Sequence, residues 1–173
     1  MKCFFMMAGK IQIRTLGEAD WPAVRAIYLE GIGTGHATFE TQAPAWEAWD
    51  STHFPAPRLV AVAAEKVIGW AALGRISTRE VYAGEAEVSI YVANGSRGLG
   101  VGRALLQRLI ADSEANGIWT LQANIFPENS ASIVLHKSCG FREVGRRERI
   151  GKMKGVWRDT LLLERRSNKA GID

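Results

Sequence analysis

Apolar and polar residues alternate along "IQIRTL" (11–16), the period-two pattern of a strand with one buried face. The period then changes. Asp20 stands where a helix N-cap belongs, Trp21 and Pro22 follow in the first turn, and Val24, Ile27 and Tyr28 form an apolar stripe. "GIGTGHATFET" (31–41) holds too many glycines for a regular element and predicts a loop. "PAWEAWDSTHF" (44–54) predicts a short helix with its tryptophans turned inward. "RLVAVAAEKVIGWAALGRI" (58–76) breaks at Glu65-Lys66, which predicts a hairpin of strands 59–64 and 67–76. "EAEVSIYV" (85–92), rich in β-branched and aromatic residues, predicts another strand.

Glycines punctuate the second half. "LGVGRALLQRLIADSEANG" (99–117) reads as a helix beyond its glycines. Val101, Leu105, Leu109 and Ile110 share a stripe, and Gly117 is the stop. "IWTLQANIF" (118–126) predicts a strand ended by Pro127. Asn129 or Ser130 then caps the helix "ASIVLHKSC", which Gly140 closes. "FREVGRRERIG" and "VWRDTLLLER" predict two closing strands. Residues 1–10 read as an N-terminal extension with Met7 as an alternative start, 11–166 as one α+β domain, and 167–173 as a polar tail expected to fray.

Composition narrows the class. The chain has 173 residues, 47% hydrophobic and 23% charged, which suits one globular domain. The net charge of +4 favours an anionic ligand. No dense Lys/Arg stripe with interleaved aromatics points to nucleic acid. "MKCFFMMAGK" is too short in its apolar run for a secretory leader or a membrane span, so the cytoplasm is the expected compartment. Cys3 and Cys139 are far apart, and His36, His53 and His136 are scattered, so neither a metal site nor a disulfide framework is expected.

The chemistry concentrates in "SRGLGVGRALL" (96–106). A strand feeding a glycine turn that opens a helix is an anion cradle, because backbone N–H groups at the helix start face the ligand. The P-loop pattern fails, since Gly102 is followed by Arg103 and Ala104. The dinucleotide pattern fails too, since its last position falls on Arg103 or Leu105. The pattern that fits is [R/Q]-x-x-G-x-[G/A], from Arg97 to Gly102.

Together with "NSASIVLHKSCGF" downstream, this loop resembles the GNAT superfamily of acetyl-CoA-dependent N-acetyltransferases across roughly residues 11–165. "ATFET" (37–41), "REVYAGEAEVSIYV" (79–92), "SIVLHKSCGF" (132–141) and "GVWRDTLLL" (155–163) are similar to the phosphinothricin and methionine sulfoximine acetyltransferases. "GKMKG" (151–155) departs from that subfamily in a segment that borders the acceptor site in relatives. The resemblance implies a three-layer αβα fold with a mixed, centrally splayed sheet of about seven strands. It also implies acetyl-CoA as co-substrate, a small-molecule amine as acceptor, and a homodimer.

The resemblance also distributes roles. Arg97, Gly98, Leu99, Gly100, Val101, Gly102 and Arg103 would hold the coenzyme's pyrophosphate; the plain alternative is a tight turn. Ile90, Tyr91 and Val92 would pair with the pantetheine arm, and the amide near Ile90 would face the developing oxyanion. Asn129 is a pantetheine contact or only a helix cap. Glu87, a carboxylate in an apolar strand, is the candidate base, or else an ammonium anchor or ion-pair partner. His136 stands where many relatives carry a tyrosine; it is an acid for the departing thiolate or a packed histidine. Phe39, Val88 and Ser89 join Glu87 at the acceptor side. Arg75 and Arg79 are candidate clamps for an acceptor's carboxylate or tetrahedral oxo group. Trp46, Trp49, Trp70, Trp119 and Trp157 read as packing. Other acceptors, namely protein N-termini or antibiotic amines, and a non-catalytic acyl-CoA sensor are the competing functions.

Overall fold

The computed structural model describes residues 10–172. In chain order it runs β1 (Gln12–Thr15), α1 (Trp21–Gly33), α2 (Trp46–Thr52), β2 (His53–Ala63), β3 (Lys66–Arg75), β4 (Glu85–Val92), α3 (Val101–Ala115), β5 (Thr120–Ile125), α4 (Ser130–Ser138), β6 (Arg142–Met153) and β7 (Val156–Arg166). The strands form one sheet in the order β1-β2-β3-β4-β5-β7-β6. The β4–β5 pairing is parallel and the others are antiparallel.

Two apolar cores follow from strand alternation. One face of β3, β4, β5 and β7 presents Ala71, Leu73, Val88, Leu121, Ala123 and Leu163 to the α3 stripe of Val101, Leu105, Leu106 and Leu109. The opposite face presents Val60, Trp70 and Ala72 to Trp21, Val24, Ile27 and Tyr28 of α1 and Trp49 of α2. These are the three layers expected from the sequence.

The central strands separate. β4 and β5 pair only at Glu85↔Thr120, Ala86↔Leu121 and Glu87↔Gln122. The joined end is pinned by the N–H groups of Trp119 and Thr120, which both donate to the Gly84 carbonyl at 2.8 and 3.1 Å. A Cβ on Gly84 would lie 2.1 Å from the Trp119 ring, so the approach needs glycine. Beyond Glu87 and Gln122 the two strands share no ladder among the described residues.

Several expectations shift in detail. The predicted loop 31–41 loses its first residues to α1, which runs to Gly33; Gly31 lies where a Cβ would fall 2.6 Å from the Tyr91 ring. Tertiary contact thus outweighs glycine's weak helix propensity. Asp20 occupies the predicted N-cap, yet its carboxylate accepts two 2.7 Å bonds from Arg14 and one from the Gly17 N–H instead of capping α1. β2 begins at His53, earlier than predicted. The tail packs instead of fraying. Arg166 donates to the carbonyls of Ser167, Ala170 and Gly171, and the Ser167 hydroxyl donates to Glu114. Apart from Lys10, the N-terminal extension, with Cys3 and Met7, lies outside the described residues.

Candidate functional site

The gap between β4 and β5 opens into a cavity of about 870 Å³. At one end is the glycine turn. Gly98 and Gly100 have φ of +76° and +81°, a region that L side chains rarely adopt. This bend starts α3 with Gly100 as an N-cap that has no side-chain hydrogen bond, and the first intrahelical bond is Ala104 N–H to the Gly100 carbonyl. The preceding amides of the first turn therefore remain available for an anion. Arg97, Gly98, Gly100, Val101, Gly102 and Arg103 line the cavity, and the Arg97 Nε anchors to the Val92 carbonyl at 3.4 Å. Leu99 is 67% exposed and stands off the lining.

The middle of the cavity is walled by Ile90, Tyr91 and Val92 of β4 and by α4. Asn129 caps α4: its Oδ1 accepts from the Ser132 N–H at 3.2 Å while its Nδ2 donates to the His36 carbonyl at 3.2 Å. His136 also lines the cavity and is buried. Its Nδ1 lies 2.8 Å from the Ser132 carbonyl, an acceptor only, so Nδ1 carries the proton. Nε2 is left with its lone pair, buried and without a partner among the described residues. Burial pushes the imidazole below its usual pKa and keeps it neutral.

At the other end Glu87, Val88, Ser89 and Phe39 come together. The Glu87 Oε2 accepts from Gln122 Nε2 at 3.1 Å and from Asn124 Nδ2 at 3.3 Å. Asn124 Oδ1 in turn accepts from Arg147 at 3.3 Å. Phe39 packs edge-on against Phe126, centroids 4.7 Å apart. Tyr28 and Tyr91 lie 4.8 Å apart, and burial raises the pKa of both phenols. Arg75 and Arg79 are not brought here. Arg75 sits over the Phe54 ring at 4.3 Å and Arg79 over Tyr82 at 5.5 Å, and neither lines the cavity.

Sequence reading missed Gln122, Asn124 and Thr160. The first two alternate with buried Leu121, Ala123 and Ile125, so period two alone places them on one face together. Thr160 of β7 lines the cavity with a buried hydroxyl that has no partner among the described residues. Nothing local in "WRDTLLL" marks it out.

Residues 13–162 match the acetyltransferase (GNAT) domain family. The chain is 36% identical to the phosphinothricin N-acetyltransferase of Alcaligenes faecalis over 167 residues, covering 90% of this chain and 82% of that one. It is 37% identical to the L-methionine sulfoximine/L-methionine sulfone acetyltransferase of Pseudomonas aeruginosa over 158 residues, covering 88% and 92%. A phosphinothricin acetyltransferase of Sinorhizobium meliloti, solved in complex with AcCoA, superposes with a TM-score of 0.83 at 28% identity, covering 94% of this chain and 91% of the other.

Proposed function

The chain belongs to the GNAT acetyltransferase family, and from that premise we propose that it transfers acetyl from acetyl-CoA directly to the α-amine of a small amino acid or analogue of the methionine sulfone or phosphinothricin type. The observation that carries this is the parted β4–β5 pair, with a glycine-built anion cradle at one end and a carboxylate at the other.

The residues present fit the coenzyme. Free first-turn amides of α3, flanked by Arg97 and Arg103, suit a pyrophosphate. A Cβ on Gly102 would meet Leu135 of α4 at 3.2 Å, so glycine there lets α3 and α4 pack closely beside the cradle. The β5-facing edge of residues 88–92 lacks a strand partner among the described residues and suits an extended amide-bearing arm. Acetyl-CoA supplies the activated acetyl group.

Glu87 receives the acceptor's proton. The α-ammonium must give up its proton before the nitrogen can attack, and a carboxylate beside it takes that proton directly or through water. Gln122 and Asn124 hold Oε2, while Oε1 takes no hydrogen bond from the described residues and is the oxygen free to accept. The amide near Ile90 faces the developing oxyanion; one such donor is typically worth ~3 kcal/mol. His136 is reserved for packing or for accepting a hydrogen bond at Nε2, since its proton is held by Ser132.

We further propose a homodimer built on the β6–β7 hairpin. β6 is an edge strand, and the hairpin exposes Val144, Ile150, Val156 and Trp157. No helix among the described residues is long and apolar enough to cross a membrane; the cytoplasm, where acetyl-CoA is available, is the compartment this reading implies.

The test is thiol release from acetyl-CoA across a panel of amino acids, amine antibiotics and peptides. Turnover with methionine sulfone or phosphinothricin supports the reading. Coenzyme binding without turnover refutes it in favour of a sensor, and turnover of peptides alone reassigns the acceptor. Gly100→Val forces a β-branched residue to φ near +81° in the cradle. It should weaken acetyl-CoA binding by about tenfold or more, read by calorimetry, with an unchanged circular dichroism spectrum.

A further inference from the structure

β7 reverses the usual order of burial. Trp157 is 56% exposed, whereas the Arg158 side chain beside it is 13% exposed. Strand alternation puts Arg158 on the same face as Thr160, whose buried hydroxyl lines the cavity. Arg158 itself is not in that lining, and its guanidinium is engaged by neighbours. One nitrogen donates to the Gly35 carbonyl at 3.1 Å. The other donates to Nδ1 of His36 and pairs with the Glu128 carboxylate, each at 3.2 Å. The Arg158 Cζ lies 4.2 Å from the centroid of the Phe126 ring.

These neighbours come from both sides of the parted sheet. Residues 34–45, between α1 and α2, form neither helix nor strand. A connection of that length with no element of its own is uncommon unless it has a task. It leaves α1, which packs on Val60, Trp70 and Ala72 of β2 and β3. It then docks on the half of the sheet beyond the gap. Gly35 and His36 meet Arg158 of β7, and the His36 carbonyl accepts from Asn129. Phe39 packs edge-on against Phe126, just past β5, and covers Gly151 of β6, where a Cβ would fall 2.6 Å from its ring. His36, Thr38 and Phe39 also line the cavity, so this segment is both a bridge across the gap and a wall.

We propose that Arg158 is a positioning residue: it holds the loop after α1 across the β4–β5 gap and thereby fixes Phe39 in the cavity wall, so that a bound amine meets a surface already in place. The proposal rests on the amino-acid N-acetylation proposed above. A guanidinium suits this task because its fork offers donors in two fixed directions while its face stacks on a ring. A lysine brings a point charge and no planar face. The competing role is a plain ion pair between Arg158 and Glu128, which contributes little at a surface and leaves the loop where it is. Glu128 accounts for only one of the contacts, however, and is itself exposed. The bonds to Gly35 and His36 and the stack on Phe126 all bear on the bridge.

The experiment compares the natural chain with Arg158→Met, which keeps the apolar stem, and Arg158→Lys, which keeps the charge without the fork. Amide hydrogen exchange of residues 34–41 is read without ligand, and KM for L-methionine sulfone and for acetyl-CoA is read by thiol release. Arg158→Met should speed exchange in 34–41 about tenfold or more while α3 and β3 exchange as before. It should raise the sulfone KM about tenfold and leave the acetyl-CoA KM within about twofold, because the glycine turn is untouched. Arg158→Lys should fall between the other two proteins in both readouts. Unchanged exchange in 34–41 overturns the proposal. So does faster exchange with both KM values natural, since the loop would then move without consequence, and so does an equal rise in both KM values, since the loss would then be general. If Arg158→Met does not fold, Arg158→Lys decides by the same readouts. A natural chain inert towards every amino acid refutes the acetylation reading, and the exchange comparison alone then upholds or overturns the anchor.

Discussion

Glu87 shows how one side chain is made fit for a task. A carboxylate in an otherwise apolar strand is costly unless its oxygens find donors. Gln122 and Asn124 supply two amide N–H groups to the same oxygen, and Arg147 steadies Asn124. Glu87 was legible because its charge interrupts "EAEVSIYV"; its partners were not, being 35 and 37 residues away across a parallel pairing that no local pattern encodes. Glu87→Gln keeps the size and can still accept both amides, so the fold and acetyl-CoA affinity should hold. Loss of the base should lower kcat by about 10² to 10⁴, measured by steady-state thiol release. A rate within twofold of the natural enzyme would make Glu87 an anchor, not a base. Arg75 and Arg79 mark the reverse case. The family resemblance suggested Arg79 as a clamp, and Arg75 by its neighbourhood, but both guanidinium groups lie over neighbouring rings.

At the scale of elements, α4 does two jobs through its N-cap residue. Asn129 caps the helix and ties it to the loop after α1 by its bond to the His36 carbonyl. The cap was readable from "ENSAS" alone. The tie was not, because residues 36 and 129 meet only when α1 and α4 flank the same cavity mouth. Asn129→Ala should cost about 1 kcal/mol of stability and raise the KM for acetyl-CoA as well. A stability loss with no change in KM would reduce Asn129 to a cap. Strands β4 and β5 were each predicted within a residue or two of their observed limits, since alternation and β-branching fix them locally. Their separation was expected only through family resemblance. No property of either strand says that pairing stops at Glu87 and Gln122; that is seen only in the assembled sheet.

For the whole molecule, buried histidines set a pH dependence. Burial lowers the pKa of His53 and His136 in the folded chain, whereas the unfolded chain titrates near the ordinary value of 6.5. Below that value the unfolded state binds more protons than the folded state, so stability falls as pH falls. The thermal midpoint should therefore drop between about pH 7 and about pH 5.5, and His136→Gln should flatten the drop, as scanning calorimetry can show. An unchanged slope would mean that His136 titrates alike in both states. Assembly is the other property of this scale. If the β6–β7 hairpin mediates a dimer, Trp157→Glu should shift sedimentation towards monomer, while a natural chain that sediments as a monomer would end the proposal. Trp157 was read as packing, yet it is 56% exposed at the hairpin. By itself the sequence determined the element types, the glycine turn and the carboxylate at Glu87, because periodicity, glycine spacing and charge in a largely apolar strand are local properties. Only the tertiary structure decided which amides hold Glu87 and where the arginines turn, because each depends on contacts that no local pattern encodes.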